Sequence, residues 1–135
     1  MTARFASFDP ASGDILWEGA AASPEDCARA VAAARAAFPA WAARTVGARI
    51  AILRRYAELL GDRRAVLAET IARETGKPLW EAETEAASMI GKVAISIAAM
   101  AERAGQRESA TPFGRARLHH RPRGVMAVLG PYNFP

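Results

Sequence analysis

The sequence predicts an incomplete α/β fold: a β-hairpin, about four helices, and the first strand of a parallel sheet whose other strands are missing. Three observations carry that expectation. A turn signal separates two short apolar runs near the N-terminus, four stretches repeat apolar residues at helical spacing, and a continuous apolar run lies near the end. Helices with short connections could form a bundle, and that alternative stays open for residues 23–105. A bundle has no use for Val125-Met126-Ala127-Val128-Leu129, which is short and bounded by glycines. Such a run suits a strand buried on both faces under helices.

Residues 5–19 are expected to form the hairpin. Phe8-Asp9-Pro10-Ala11-Ser12-Gly13-Asp14 places Pro and Gly to reverse the chain, and Ile15-Leu16-Trp17 returns as a strand. The first helix has Ser23 as N-cap, Pro24 at its first position, and Glu25 and Asp26 against the positive end of its dipole. Cys27, Val31, Ala34 and Phe38 share one face, predicted to lie on the core, and Pro39 is expected to end the helix. Thr45 caps a second helix carrying Ile50, Leu53, Ala57 and Leu60, and Gly61-Asp62 breaks it. Leu67 and Ile71 carry a third helix to Gly76, with Pro78 just beyond. The fourth and longest runs from about Trp80 to Arg103, with Ala87, Ile90, Ala94, Ile97 and Ala101 on one face and Gly105 at its end. Arg115 to Arg121 reads as an exposed, charged strand, interrupted by Pro122 and Gly124.

Composition narrows the class of protein. Of the 135 residues, 51% are hydrophobic and 24% charged, an ordinary globular balance. No run approaches the roughly 20 uninterrupted apolar residues of a membrane span, so no membrane partner is expected. Met1-Thr2-Ala3-Arg4 lacks the apolar core of a secretory signal, which points to the cytoplasm. The single cysteine, Cys27, agrees with a reducing compartment and reads as a small core residue. Net charge is +4, with Arg115, Arg117, Arg121 and Arg123 clustered, yet aromatic interleaving for base stacking is missing. A solvated surface is expected rather than nucleic acid, with steering of an anionic substrate as the weaker alternative.

In open α/β sheets, ligands bind beyond the carboxyl ends of the strands, so Gly130-Pro131-Tyr132-Asn133-Phe134-Pro135 is where function is expected. The Asn133 amide can donate a hydrogen bond to a developing negative oxygen. Held rigidly, such a donor contributes roughly 2.7–4 kcal/mol to a transition state. By residue type alone, an asparagine between prolines is more often a turn residue. Other candidates are weaker. His119 and His120 would point to opposite faces of a strand and cannot chelate one metal together, so no metal is expected. Lys77 lacks a phosphate-loop context and reads as part of a helix-ending Gly-Lys-Pro; Glu81, Glu83 and Glu85 read as a helix surface.

Three blocks then agree in order and spacing with one family. Arg121-Pro122-Arg123-Gly124-Val125 with Gly130 to Pro135, Glu74-Thr75-Gly76-Lys77-Pro78 with Glu81-Ala82 and Glu85, and Asp9-Pro10 through Gly13 with Ala30-Val31, Ala34 to Phe38 and Trp41 resemble the aldehyde dehydrogenase superfamily. The resemblance covers nearly the whole chain. It implies a partial NAD(P)-binding domain over residues 1–135: hairpin 5–19, helical region 23–105, and strands with the active-site loop over 115–135. It also implies oxidation of a small-molecule aldehyde to a carboxylic acid through a cysteine thioester, with NAD (or NADP) as cofactor, in an enzyme that assembles as a homo-oligomer when full length. Asn133 matches the oxyanion asparagine, and Leu129, Gly130, Pro131 and Tyr132 match positions beside the cofactor. Tyr132 stands where tryptophan is usual, which puts its role in doubt, and Gly130 replaces a small polar residue. The catalytic cysteine and general-base glutamate lie beyond Pro135 in the family, so the chain alone is expected to be inactive. More narrowly, Gly130 to Pro135 with Arg73 to Glu85 resembles the N-succinylglutamate 5-semialdehyde dehydrogenases of arginine catabolism, whose substrate bears two carboxylates. Another subgroup, or a non-catalytic helical interaction module, stays as the alternative.

Overall fold

The computed structural model describes residues 3–130, which form two local hairpins and four helices. Strand β1 (Arg4–Phe8) pairs antiparallel with β2 (Ile15–Ala20), with an irregularity between Ser7 and Phe8. The Asp9 carboxylate holds the turn by accepting from the Ala11 N–H at 2.9 Å, while the Gly13 N–H donates to the Asp9 carbonyl. Gly13 has φ +80°, a conformation that glycine adopts without steric cost. On one face of the hairpin the Phe5 and Trp17 rings lie 4.9 Å apart. Gly19 makes room there, because a Cβ at 19 would come within 2.6 Å of the Trp17 ring.

Helix α1 (Pro24–Ala42) starts with a complete capping box: Ser23 accepts from the Asp26 N–H, and the Asp26 carboxylate accepts from the Ser23 N–H. Pro39 does not end it. The proline removes one N–H, but its fixed φ is helical and its carbonyl still accepts from the Ala43 N–H at 3.0 Å, so the helix runs to Ala42. The face of Cys27, Val31, Ala34 and Phe38 is not on the core. Cys27 is exposed, Val31 is 48% exposed, and only Phe38, near the end of the helix, is half-buried.

Thr45 caps α2 (Val46–Asp62) by accepting from the Ala48 N–H. Gly61 stays inside this helix, and the break falls at Arg63, between α2 and α3 (Arg64–Thr75). Helix α3 ends at Gly76 with φ +71°, and Pro78 precedes α4 (Leu79–Arg103). The core lies between α3 and α4, where Ala68, Ala82 and Ala86 are buried and Leu67, Ile71 and Ala72 pack against them. Three alanines let the two helices approach closely. The expected α4 stripe is shifted: Ala87, Ile90 and Ile97 are half-buried, whereas Ala94 and Ala101 are exposed. By length and composition alone α4, with a mean hydropathy of 1.2 over its most apolar window, could cross a membrane. Its innermost residues instead meet α3, and its exposed surface carries Glu81, Glu83, Lys92 and Glu102.

Strand β3 (Arg107–Thr111) pairs antiparallel with β4 (Gly114–Leu118), and every residue of both is exposed. The expected charged strand is thus present as β4, starting one residue earlier and ending three residues earlier, with a partner that the sequence did not reveal. Val125–Leu129 forms no strand: Met126, Val128 and Leu129 are 81%, 80% and 94% exposed. A buried parallel strand needs strands on either side, and both described sheets are two-stranded hairpins.

The hairpin docks on α3 through its turn. Asp9 meets Arg73 at 3.5 Å, and Pro10 lies where a Cβ on Gly76 would come within 2.7 Å of its Cγ. Gly76→Ala therefore adds a steric clash to a left-handed backbone and should lower stability by about 1 kcal/mol or more. Gly61→Ala, inside α2 with open space around it, should raise stability by about 0.5–1 kcal/mol. Urea titrations of the two variants check both signs. The Ala11 N–H is the chief cause holding the Asp9 carboxyl below its usual range, with Ser12 and Arg73 adding to it and desolvation opposing. The Ser23 backbone N–H does the same for Asp26, helped by the Ser23 hydroxyl. A lowered folded pKa gives stability that is present above the unfolded value of 3.8 and lost as pH falls through the folded one. Melting temperature should fall below about pH 3.8, less steeply in Asp9→Asn and Asp26→Asn, and equal slopes in all three proteins would exclude these carboxylates as the cause.

Candidate functional site

The chemistry-bearing residues expected from the sequence fall at the end of the chain. Of these, Leu129 and Gly130 are described: Leu129 is 94% exposed, and nothing lies within 4 Å of where a Gly130 Cβ would stand. Pro131, Tyr132 and Asn133 lie outside the described residues. Leu129 and Gly130 stand open, so the described residues alone do not fit around a dinucleotide.

The other two motif blocks are brought together. Asp9-Pro10 of the first block meets Arg73 and Gly76 of the second, through the ion pair and the Pro10–Gly76 contact. Both blocks therefore serve one junction, at which the hairpin turn, the end of α3 and the start of α4 converge. Lys77, next to Gly76, forms an ion pair with Glu85, and both side chains are largely buried, 19% and 13% exposed. This corrects the view of Glu85 as helix surface; Glu81 and Glu83 are exposed as expected. The pair fastens the Gly-Lys-Pro turn to the second turn of α4. Removing one partner would strand the other charge in a poorly solvated place, a larger effect than an exposed pair has. Eight residues separate the two, too far for helix spacing rules, so only the turn that folds Lys77 back over α4 reveals them.

The basic cluster divides in two. Arg115 and Arg117 of β4 both reach Glu108 of β3 at 2.9 Å, with the guanidinium groups well exposed. Arg121 and Arg123 follow the hairpin and are exposed, as are His119 and His120. No group of three His, Cys, Asp or Glu able to hold a metal occurs among the described residues.

Two cavities flank the α2–α4 packing. One, of about 680 Å³, lies between α2 and α4 beside Ala57, Ile90 and Ile97. The other, of about 610 Å³, lies where the end of α1, the start of α2 and the end of α4 meet the segment after β4. Its α1–α2 wall is braced by Arg49 Nη1 donating to the Arg44 carbonyl at 3.0 Å, and by the Arg44 guanidinium over the Trp41 ring at 5.9 Å.

Comparison with known proteins places this framework. Residues 1–135 match the aldehyde dehydrogenase family. An N-succinylglutamate 5-semialdehyde dehydrogenase 2 of Caulobacter vibrioides is 60% identical over 133 residues, which is 98% of this chain and 27% of that protein. The chain thus spans about a quarter of the length of the curated relatives it matches. Among solved structures, a succinate-semialdehyde dehydrogenase of Burkholderia pseudomallei aligns with a TM-score of 0.74 and 34% identity, over 82% of this chain and 23% of that one. An NADP-dependent glyceraldehyde-3-phosphate dehydrogenase of Bacillus halodurans, complexed with NADP, aligns with a TM-score of 0.75 and 26% identity, over 82% and 23%. The hairpin, the four helices and the second hairpin are the N-terminal part of that shared fold, and the chain belongs to the aldehyde dehydrogenase family.

Proposed function

We propose that the enzyme containing this chain oxidises N-succinyl-L-glutamate 5-semialdehyde to N-succinyl-L-glutamate in arginine catabolism. The observation that carries this is the 60% identity, sustained over 98% of the chain, to the Caulobacter protein of that name. The likeness to a succinate-semialdehyde dehydrogenase adds a second carboxylate-bearing semialdehyde among the neighbours.

Asn133 is assigned as the donor to the aldehyde oxygen as that oxygen gains charge. Its carboxamide is neutral, so it stabilises the charged state without having to lose a proton, and flanking prolines restrict the loop. NAD is the proposed hydride acceptor, and the NADP bound by the Bacillus neighbour supports a nicotinamide dinucleotide of one kind or the other. Leu129, Gly130, Pro131 and Tyr132 are assigned to its binding. We place the enzyme in the cytoplasm as a homo-oligomer acting on a small-molecule aldehyde, with neither nucleic acid nor membrane as partner.

The chain by itself is proposed to be inactive. Its only cysteine, Cys27, lies on an exposed face of α1. In the full-length enzyme, Asn133→Ala should lower kcat by roughly 10²–10³-fold with a smaller change in KM, followed as nicotinamide reduction. Unchanged kcat would remove Asn133 from the chemistry. A kcat/KM higher for an uncharged aliphatic aldehyde than for N-succinylglutamate 5-semialdehyde would overturn the substrate assignment.

A further inference from the structure

We propose that the cavity at the α1–α2–α4 corner binds a small amphipathic carboxylate, an organic anion with an apolar body. At about 610 Å³ it lies within the size range of small-molecule pockets. Its apolar lining includes Trp41 from the end of α1, Ile50 from α2 and Met100 from α4. Its basic lining is Arg49 from α2, and His120 and Arg121 from the segment that follows β4. None of the described residues lining it is Asp or Glu, so the basic groups meet no counter-charge within the cavity.

The two kinds of wall select the ligand together. An inorganic anion would leave the Trp41, Ile50 and Met100 surface in water. A neutral apolar molecule would gain nothing from the guanidinium groups. A carboxylate on an apolar body satisfies both, with the Arg fork matching the planar carboxylate. Arg49 is partly prepared for this, since its contact to the Arg44 carbonyl fixes one arm of a group that carries five N–H donors. Trp41 offers a flat apolar surface, and the Arg44 guanidinium lies over its ring at 5.9 Å. The cavity takes Arg121 and Pro122 from the start of the third motif block, and ligand binding there is read independently of the aldehyde assignment.

The test is calorimetric titration of the full-length enzyme with octanoate, with octanol as the uncharged control. Octanoate is expected to bind saturably at one site per chain, and octanol at least about fivefold more weakly. Arg121→Gln, an exposed change that leaves the helices untouched, should weaken octanoate by about fivefold and octanol little. Ala101→Trp, filling the cavity from α4, should abolish binding, with circular dichroism confirming retained helix. Absence of saturable heat overturns the proposal, as does equal affinity for octanoate and octanol, or octanoate binding that both variants leave unchanged. Turnover of N-succinylglutamate 5-semialdehyde by Arg121→Gln, measured in parallel, separates loss of this site from loss of the enzymatic function.

Discussion

The close approach of α3 to α4 is the contact on which the rest of the described structure depends. It exists because Ala68, Ala82 and Ala86 put nothing larger than a methyl between the two helices. The turn that brings them together is held at both sides. Gly76 supplies the left-handed residue that ends α3, and Lys77 folds back to pair with Glu85 on α4. From that pair of helices the other parts hang: α2 lies along α4, and the N-terminal hairpin rests its turn on the end of α3. Buried methyls contribute on the order of 1 kcal/mol each, so this core is thin beside the entropy of ordering so many residues. Large apolar side chains such as Ile52, Leu53, Tyr56 and Ile95 remain 40% or more exposed around it. The helices are therefore shaped to cover something larger than one another.

Local chemistry was legible and distant chemistry was not. Ser23, Thr45 and Gly76 announce helix ends because a cap is decided within three or four residues of sequence, and each stands where expected. Pro39 misleads because its cost is only one missing donor near the end of a long helix, too little to stop it. Strand β3 hides in Arg107-Glu108-Ser109-Ala110-Thr111, which has no apolar alternation because neither of its faces is buried. Amphipathic periodicity marks a face that wants covering without telling what covers it, hence the exposed Cys27 and Val31 on α1. Val125–Leu129 is the extreme case. Its composition fits a strand between strands, and the described chain supplies none.

The family blocks divide by the work they do. The first two owe their residue types to packing and charge at one junction: Asp9 with Arg73, Pro10 against Gly76, Lys77 with Glu85. Asp9, Lys77 and Glu85 are each largely buried and engaged by a neighbour, while Arg73 keeps about half of its side chain exposed. Their specificity as a signature is therefore a specificity of fold. Sequence reading recovered that signature from residue types and spacing, yet could not say that blocks more than 60 residues apart touch, since nothing in either block codes for the other by itself.

The third block differs. Its described glycines, Gly124 and Gly130, stand in open space, with nothing within 4 Å of where a Cβ would lie. Among the described residues, packing does not account for the composition of residues 126–130. Two explanations remain physically distinct: the segment packs against other parts of the enzyme, or its constraint serves a ligand. A strand fulfils the first, and Val125–Leu129 has the composition for it. A carboxamide has little apolar surface to contribute, which is why the second is the role proposed for Asn133. That asymmetry between the apolar run and the asparagine that follows it in sequence, rather than the motif taken whole, is the physical ground on which chemistry is proposed for Asn133.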